Sequence, residues 1–257
     1  MNTIIRYADI CEVGELFKLI QSSFDKYIEF TPYISPQSIN ILEKEILNFK
    51  NMNNYEKIWK VVSLKNKIIG FYCLKILPDY IFLNYIGIDI EYRSLGFGNA
   101  MLADIEKEAK SVGKNIIELD VFRSNETAYR WYKNKGFNES SIKSMNLIKI
   151  FDQDVSIYNC VKLDDLTLAN AISEENRIGY SFLSGTIGNK SITYALIGNK
   201  YVKIVKPEVV SDLGIIRDSI SFFNNSREYI LFGSDPNLKI PFSIKRKEIL
   251  IRMKKNN

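Results

Sequence analysis

Arg93, Gly96 and Gly98 stand together in the stretch EYRSLGFGNAM, directly after the apolar run IFLNYIGIDI. The apolar run predicts a strand, and the residues after Gly98 predict a helix. Closely spaced glycines at a helix start let the backbone bring several N–H groups close to a ligand. The first turn of a helix has unpaired N–H donors and a partial positive charge. The spacing therefore predicts a backbone cradle for an anion such as phosphate, in which Arg93 adds a charge or fixes the turn. An ordinary tight turn is the alternative.

A dinucleotide-binding fingerprint is a second alternative for these glycines. Asp120 follows them by about twenty residues, where an acidic residue binds ribose in that fingerprint. However, Met101 stands at the third glycine position. The strands before the turn are also joined by breaks too short for a parallel crossover. We therefore favour the anion cradle.

The composition excludes several kinds of chemistry. Histidine is absent from the 257 residues, which excludes Ser-His-Asp and Cys-His triads and any imidazole base. Proton transfer must therefore fall to carboxylates, tyrosine, lysine or water. Cys11, Cys73 and Cys160 show no CxxC spacing, and no zinc site is expected without histidine.

Charge and hydropathy limit the expected partners and location. The net charge of +5 is mild and scattered, so we expect no nucleic-acid partner. No apolar segment approaches the roughly 18 residues needed to span a bilayer, and the N-terminus lacks the apolar stretch of a secretory signal. We therefore expect a soluble, cytoplasmic protein without a membrane partner.

Apolar periodicity predicts the elements that position the cradle. Over residues 1–150 the predicted order is strand, helix, helix, three strands, helix, strand, helix, strand. The three consecutive strands have short breaks between them and are predicted to form an antiparallel meander. The last helix, in SNETAYRWYKNKG, has Ser124 or Asn125 as a suitable N-cap and Gly136 as a suitable end.

Residues 151–257 repeat this order in a reduced form. The predicted elements are a strand and helix in VSIYNCVKLDDLTLANAI, a hairpin that turns at Gly198 and Asn199, a helix in PEVVSDLGIIRDSISFF, and strands in EYILFG and EILIRMKK. We therefore predict two domains, 1–150 and 151–257, the second being a degenerate copy of the first.

Two stretches carry a resemblance to a known family. YIGIDIEYRSLGFGNAMLADIEKEA resembles the acetyl-CoA signature of the GNAT superfamily of N-acyltransferases, in which Arg or Gln is followed after two residues by Gly and after one more by Gly or Ala. Arg93, Gly96 and Gly98 fill those positions. LDVFRSNETAYRWYKNKGF is similar to the family's second signature, with these residues in register: Asn125, Ala128, Tyr132, Gly136 and Phe137.

The resemblance covers residues 1–150 and implies an α+β GNAT fold. In this fold a central, mostly antiparallel mixed sheet is flanked by helices. The remainder is similar only to the degenerate second half of tandem members, which implies a smaller, GNAT-like α/β domain. At the positions that correspond to the arginine and glycines of the first half it has Pro207, Val210 and Asp212, so we do not expect it to bind a second cofactor.

The resemblance implies acetyl-CoA as the cofactor. In this family the strand before the turn separates from its neighbour, and its free backbone groups would here belong to Ile86, Gly87 and Ile88. Arg93 and the backbone N–H groups of the turn would surround the pyrophosphate, and those groups belong to Ser94, Leu95, Gly96, Phe97, Gly98 and Asn99. Asn125 would meet the cofactor arm, with a plain helix cap as the alternative.

The resemblance also implies two catalytic residues. Tyr132 matches the tyrosine that protonates the departing sulfur, with core packing as the alternative. Asp120 matches an acidic position that some members use as proton acceptor, but a free aspartate pKa of about 3.9 is low for that role unless burial raises it. A surface carboxylate paired with lysine is the alternative for Asp120. Asn84, Tyr85 or Glu29 could instead hold a water that carries the proton away.

The expected function is therefore transfer of an acetyl group from acetyl-CoA to a primary amine of a small molecule or of a peptide N-terminus. A non-catalytic acyl-CoA-binding module is the alternative from another class. Residues 21–57 and the second domain are expected to complete the acceptor pocket. A homodimer is compatible with the sequence.

Overall fold

A computed structural model describes residues 3–51, 57–148, 161–162, 165–187, 190–204, 227–234 and 244–257. Up to residue 148 the strands and helices are β1 (Thr3–Tyr7), α1 (Val13–Ser23), α2 (Ile39–Asn51), β2 (Lys57–Leu64), β3 (Lys67–Ile76), β4 (Ile81–Ile88), α3 (Phe97–Ser111), β5 (Ile116–Phe122), α4 (Glu126–Asn134) and β6 (Asn138–Ile148). The later ones are β7 (Val161–Lys162), α5 (Asp165–Ile178), β8 (Tyr180–Ile187), β9 (Lys190–Ile197), β10 (Tyr201–Ile204), β11 (Glu228–Ser234) and β12 (Ile244–Asn256).

The observed order of elements up to residue 148 confirms the predicted order. Amphipathic spacing explains the helices, because α1 buries Leu16 and Ile20 while α3 buries Leu102 and Ile105. Full burial of such a side chain contributes about 1.5–3 kcal/mol relative to exposure, so each helix is held mainly by its apolar face.

All the described strands belong to one 12-stranded sheet, in the order β1-β2-β3-β4-β5-β12-β6-β11-β10-β9-β8-β7. Strands β2, β3 and β4 form the predicted antiparallel meander. Among the described pairs, β4–β5 and β10–β11 are parallel and the others are antiparallel. The expected mixed, mostly antiparallel sheet with flanking helices is therefore confirmed.

The final strand does not lie where a boundary at residue 150 would put it. Strand β12 is inserted between β5 and β6, with Leu250 opposite Phe122 and Arg252 opposite Asp120. Ile251 and Met253 on one face and Leu250 on the other are buried, as expected for a central strand. The sheet that carries the cradle is thus built from both ends of the chain. That residues 151–257 are a degenerate copy of the first half stays a prediction.

The second half contains the predicted hairpin. Strands β9 and β10 pair across Gly198 and Asn199, whose φ values are 60° and 58°. Both angles lie in the left-handed region that a tight hairpin turn requires. Strand β8 was not predicted, and it pairs with β9. The predicted helix at 207–223 lies outside the described residues.

Helices cover both faces of the sheet beside the cradle. The α3 face is the side on which α3 and α4 pack, through Met101, Ile105 and Tyr132, against residues such as Val62 and Leu119. The α1 face is the opposite side, on which α1 and α2 pack around the buried Trp59 and Phe71. In the part of the chain that the structure describes, no helix is both long and apolar enough to cross a membrane.

Candidate functional site

Strands β4 and β5 separate before the turn that holds the cradle. Their pairing is limited to Ile81–Leu83 with Ile117–Leu119. A bulge follows at Asn84, since Cys73 and Leu74 of β3 face Tyr85 and Leu83. Beyond the bulge, the three predicted cofactor contacts Ile86, Gly87 and Ile88 pair with β3 on one side only. Their other edge faces the opening between β4 and β5.

Gly87 is the tightest position on this edge. A Cβ atom at Gly87 would lie 2.6 Å from the Phe71 ring and 2.7 Å from Ser23 Oγ, distances that real Cβ atoms do not tolerate. Ser23 Oγ is itself buried and has no hydrogen-bond partner among the described residues. The opening is therefore bordered by a glycine that admits no side chain and by an unsatisfied hydroxyl.

Replacing Gly87 with alanine should lower the free energy of unfolding by about 1–3 kcal/mol, the usual cost of overpacking a filled site. Gly14→Ala is the matched control, because an added Cβ there meets nothing within 4 Å. Alanine within a helix should leave the control unchanged or stabilise it by about 0.5–1 kcal/mol. Urea denaturation of the two variants tests this, and equal stability would show that β4 can shift to accept a methyl group.

The turn after β4 presents a row of backbone donors. Ser94 and Gly96 have positive φ values of 62° and 90°, and Gly96 is the N-cap of α3. Among the described residues, no acceptor is found for the N–H groups from Ser94 to Gly98. They lie at the positive end of the 15-residue helix α3. This arrangement suits an anion, as the glycine spacing predicted.

Two residues of the turn are already engaged within the protein. The Asn99 N–H donates to the Gly96 carbonyl at 3.0 Å, and Asn99 Oδ1 accepts from Trp131 Nε1 at 3.3 Å. Arg93 is exposed, and its Nε donates to the carbonyl of Ile88 at 3.0 Å. Arg93 therefore fixes the turn on the end of β4, and its other guanidinium N–H groups remain for a ligand. Asn99 is a weaker candidate than the residues before it.

Helix α4 carries the predicted general acid. Tyr132 is 5% exposed, and its ring centroid lies 4.9 Å from that of Trp131 and 5.5 Å from that of Phe137. Burial raises the pKa of the Tyr132 hydroxyl, so it is protonated at neutral pH. No partner for this hydroxyl is found in the described ranges. At the start of α4, Asn125 accepts from the Ala128 N–H at 3.3 Å, which is the plain helix cap considered as the alternative.

Asp120 lies just beyond the last paired residues of β4 and β5, but its carboxylate is occupied. Both oxygens accept from Arg252, at 2.9 Å for the Nη2 contact, and Arg252 also donates to Glu118 at 3.1 Å. Burial alone would lower the pKa of Arg252, but the hydrogen bonds and charge of Asp120 outweigh it and raise the pKa. The geometry thus favours the ion-pair alternative, with arginine in place of lysine, over a general base.

The other candidates for the proton path are also partnered. The half-buried ring of Tyr85 stacks on the buried Trp59, with centroids 5.9 Å apart and an interplanar angle of 10°. Burial raises the pKa of Tyr85 well above its ordinary value, so it is a poor base at neutral pH. Glu29 accepts from Arg246 Nη1 at 2.8 Å. Asn84 occupies the bulge beside the opening, and of the three it is the best placed to hold a water.

The sequence did not predict the side-chain contacts that join several residues on the α1 face. Tyr27 stacks on Phe122 with centroids 4.2 Å apart and an interplanar angle of 6°. Its hydroxyl lies 2.9 Å from Ser124 Oγ, which donates to Glu248 at 2.6 Å. Arg246 of β12 donates to both Glu29 and Glu248. No local pattern links these residues, because they lie far apart in the sequence.

Lys203 is a further residue that the sequence did not single out. Its Nζ lies 4.6 Å from the centroid of the Phe232 ring. Burial and the charge of Lys75 together lower the pKa of Lys203 to about 8, and the charge of Asp120 opposes the shift. Strand β10 thus contributes a partly neutral amine within electrostatic reach of Asp120.

Comparisons with known proteins show which family this part of the chain resembles. Residues 20–137 match the model of the acetyltransferase (GNAT) family. The matched range contains the opening between β4 and β5, the turn and all of α4.

Similar curated proteins include two N-acetyltransferases. The uncharacterized N-acetyltransferase YycN of Bacillus subtilis is 24% identical over 115 residues, which are 42% of this chain and 74% of that protein. The ribosomal protein bS18-alanine N-acetyltransferase of Escherichia coli is 31% identical over 82 residues, which are 32% of this chain and 55% of that protein. This chain therefore aligns with only about half the length of the second relative.

Solved structures with a similar fold include the PaiA N-acetyltransferase of Thermoplasma acidophilum, which was solved in complex with coenzyme A. Its TM-score is 0.46 and its sequence is 23% identical, over 55% of this chain and 92% of that one. The ribosomal-protein-S18-alanine N-acetyltransferase of Escherichia coli gives a TM-score of 0.45 and 20% identity, over 55% of this chain and 81% of that one.

The family match includes the sequence signature at Arg93, Gly96 and Gly98, and the geometry there is an opened strand edge that leads to free backbone donors. Residues 20–137 of this chain are therefore similar to the acetyltransferase (GNAT) family.

Proposed function

We propose that this protein transfers an acetyl group from acetyl-CoA to a primary amine, carried by a small molecule or by a peptide N-terminus. The observation that carries the proposal is the opening between β4 and β5, which leads directly to the free N–H groups from Ser94 to Gly98. An amide-rich chain that ends in a diphosphate matches this sequence of features, because the strand edge offers peptide-like pairing and the helix start offers anion binding.

The residues present fit coenzyme A. Its diphosphate would be held by the turn, with Arg93 adding charge, and its amide arm would lie along Ile86, Gly87 and Ile88. The unsatisfied hydroxyl of Ser23 beside Gly87 also suits a polar ligand. Asn99 and Asn125 are proposed as secondary contacts, because each has a hydrogen bond within the protein.

The cofactor supplies an activated acetyl group as a thioester. Tyr132 would donate a proton to the leaving sulfur, because its buried hydroxyl is protonated at neutral pH and has no partner among the described residues. Backbone N–H groups on the free edge of β4 would polarise the thioester carbonyl oxygen, the task of an oxyanion hole. Asp120 holds Arg252 and β12 in place and is not the proton acceptor.

Two observations support the proposed class of acceptor. The name of the Escherichia coli relative states that it acetylates an alanine of a ribosomal protein, which supports including a peptide N-terminus. The aromatic rings of Tyr27, Phe30 and Phe122 on the α1 face suit the carbon chain of an amine equally well.

An amine panel tests this proposal. Purified protein with acetyl-CoA should release free thiol in the presence of at least one class among polyamines, amino sugars, amino acids and peptides that begin with alanine. Isothermal calorimetry with coenzyme A should show binding in the same preparation. Binding without thiol release for any acceptor would favour a non-catalytic acyl-CoA-binding module, and absence of binding would contradict the site itself.

A further inference from the structure

Three distant parts of the chain meet in one series of side-chain hydrogen bonds. Tyr27 belongs to the segment between α1 and α2, Ser124 follows β5, and Glu248 belongs to β12. The Tyr27 hydroxyl lies 2.9 Å from Ser124 Oγ, and Ser124 Oγ lies 2.6 Å from Glu248 Oε2. Glu248 is 9% exposed, so the series runs from the surface of the site to a buried carboxylate.

The direction of these hydrogen bonds follows from the partners. An ionised carboxylate can only accept, so Ser124 must donate its single hydrogen to Glu248. Ser124 then has only lone pairs left for Tyr27, and Tyr27 must donate to Ser124. The phenolic oxygen of Tyr27 is therefore left with lone pairs that can accept a hydrogen bond from a ligand.

The charged groups around Glu248 keep it in place. Arg246 donates to Glu248 Oε1 through Nε at 2.9 Å and Nη2 at 2.7 Å, and Oε2 is left for Ser124. Arg246 also pairs with Glu29 across the site. From the neighbouring strands, Lys143 and Lys203 face the same apolar cluster through the Phe232 ring. Asp120 differs from Glu248, because both oxygens of Asp120 accept from arginine.

The series begins at the opening between β4 and β5. Tyr27 stacks on Phe122, the last residue of β5, which lies beyond the final pair of the two strands at Leu83 and Leu119. The phenolic oxygen is thus on the α1 face of the free end of β5, opposite the side on which Tyr132 packs.

We infer that Tyr27 contacts the acceptor amine and that Ser124 and Glu248 relay its proton away from the site, an inference that rests on the proposed function. An N–H bond of the acceptor ammonium breaks, and its proton goes to the oxygen of Tyr27. The Tyr27 hydrogen moves to Ser124, and the Ser124 hydrogen moves to Glu248 Oε2. A neutral amine and a neutral carboxyl group result, and Glu248 later releases the proton to water.

The expected loss of activity without the relay depends on the pKa of the acceptor amine. An alkylamine with a pKa of about 10.4 is almost wholly protonated near pH 7, whereas an α-amine with a pKa of about 7.7–8.0 is partly neutral. Tyr27→Phe and Ser124→Ala should therefore lower kcat/KM for an alkylamine near pH 7 by about 10²-fold, the low end for a positioned proton-transfer group. The loss should be several-fold smaller for an α-amine.

The pH profile separates a relay from a structural role. The loss with an alkylamine should shrink as the pH rises towards 10, where the amine deprotonates in solution. The controls are Tyr129→Phe, whose exposed hydroxyl donates to Glu139, and Ser111→Ala, whose hydroxyl donates to a backbone carbonyl at the end of α3. Both should match the wild type, and the affinity of all four variants for coenzyme A should be unchanged by calorimetry.

Failure of the proposed function can be distinguished from failure of the relay alone. A wild-type protein that releases no thiol with any amine overturns the proposed function and the relay with it. An active wild type whose Tyr27→Phe and Ser124→Ala variants keep full activity on alkylamines, or lose it equally for both amine classes at every pH, overturns the relay alone.

Discussion

Changing Tyr132 to phenylalanine should lower kcat for acetyl transfer by about 10²–10³-fold, within the range for a positioned general acid, and leave the affinity for coenzyme A unchanged. The substitution removes the hydroxyl oxygen and keeps the ring, which packs between Trp131 and Phe137. No hydrogen bond within the described residues is lost, because this hydroxyl has no partner there. Burial raises the pKa of this hydroxyl, so it holds a proton for the leaving sulfur across the neutral range. Thiol release gives kcat, and calorimetry gives the affinity.

Tyr129→Phe is the matched control for this experiment. Tyr129 lies on the same helix, and its hydroxyl points to Glu139 at the surface. The control should retain wild-type kcat and cofactor affinity. Equal activity of the two variants would show that Tyr132 serves only the packing of α4 against the sheet, the alternative that its position in the core also allows.

Local signals were enough to predict the cradle and the elements around it. The periodicity of α1 and α3 marks one apolar face on each helix, and two glycines mark the turn between β4 and α3. Short breaks required antiparallel neighbours for β2, β3 and β4, and the structure has them. These features depend on residues that are close in sequence, so a single sequence contains the information.

The partners of the catalytic candidates depend instead on strand order. Asp120 was open to two interpretations, because nothing near it in the sequence indicates Arg252. The register that joins them exists only because β12 enters the sheet beside β5. The apolar pattern of β12 predicts a strand, but periodicity does not identify its neighbours. The same insertion brings Glu248 to Ser124, so the proposed relay could not be predicted from the sequence.

Asn125 shows a different limit. An asparagine at the start of a helix is the usual N-cap, and the same residue is expected in the family's second signature. The structure shows the cap, and the contact of Asn125 with the cofactor arm stays a prediction. An asparagine can serve both as a helix cap and as a cofactor contact, so the residue type alone does not distinguish the two roles.

Replacing Arg252 with methionine should lower the free energy of unfolding by about 3–5 kcal/mol, the cost of removing one partner from a buried ion pair. Arg252 is 19% exposed on its side chain, and the two carboxylates it binds are 16% (Asp120) and 17% (Glu118) exposed. Without the arginine these two negative charges would lie unpaired two residues apart on β5, with little exposure to water. Urea denaturation gives the change, and Arg130→Met is the control, because its pair with Glu126 is exposed and contributes about 0–1 kcal/mol.

The Asp120→Asn variant distinguishes a structural role of Asp120, as the partner of Arg252, from a catalytic role as general base. If Asp120 only holds β12 beside β5, this variant should lose stability while the folded protein keeps its kcat, measured at a temperature where both proteins are fully folded. A drop of about 10²-fold in kcat at full folding would instead assign Asp120 the proton acceptor's task. We expect the first result, because both oxygens of Asp120 accept from Arg252 and neither is free to take a proton from an amine.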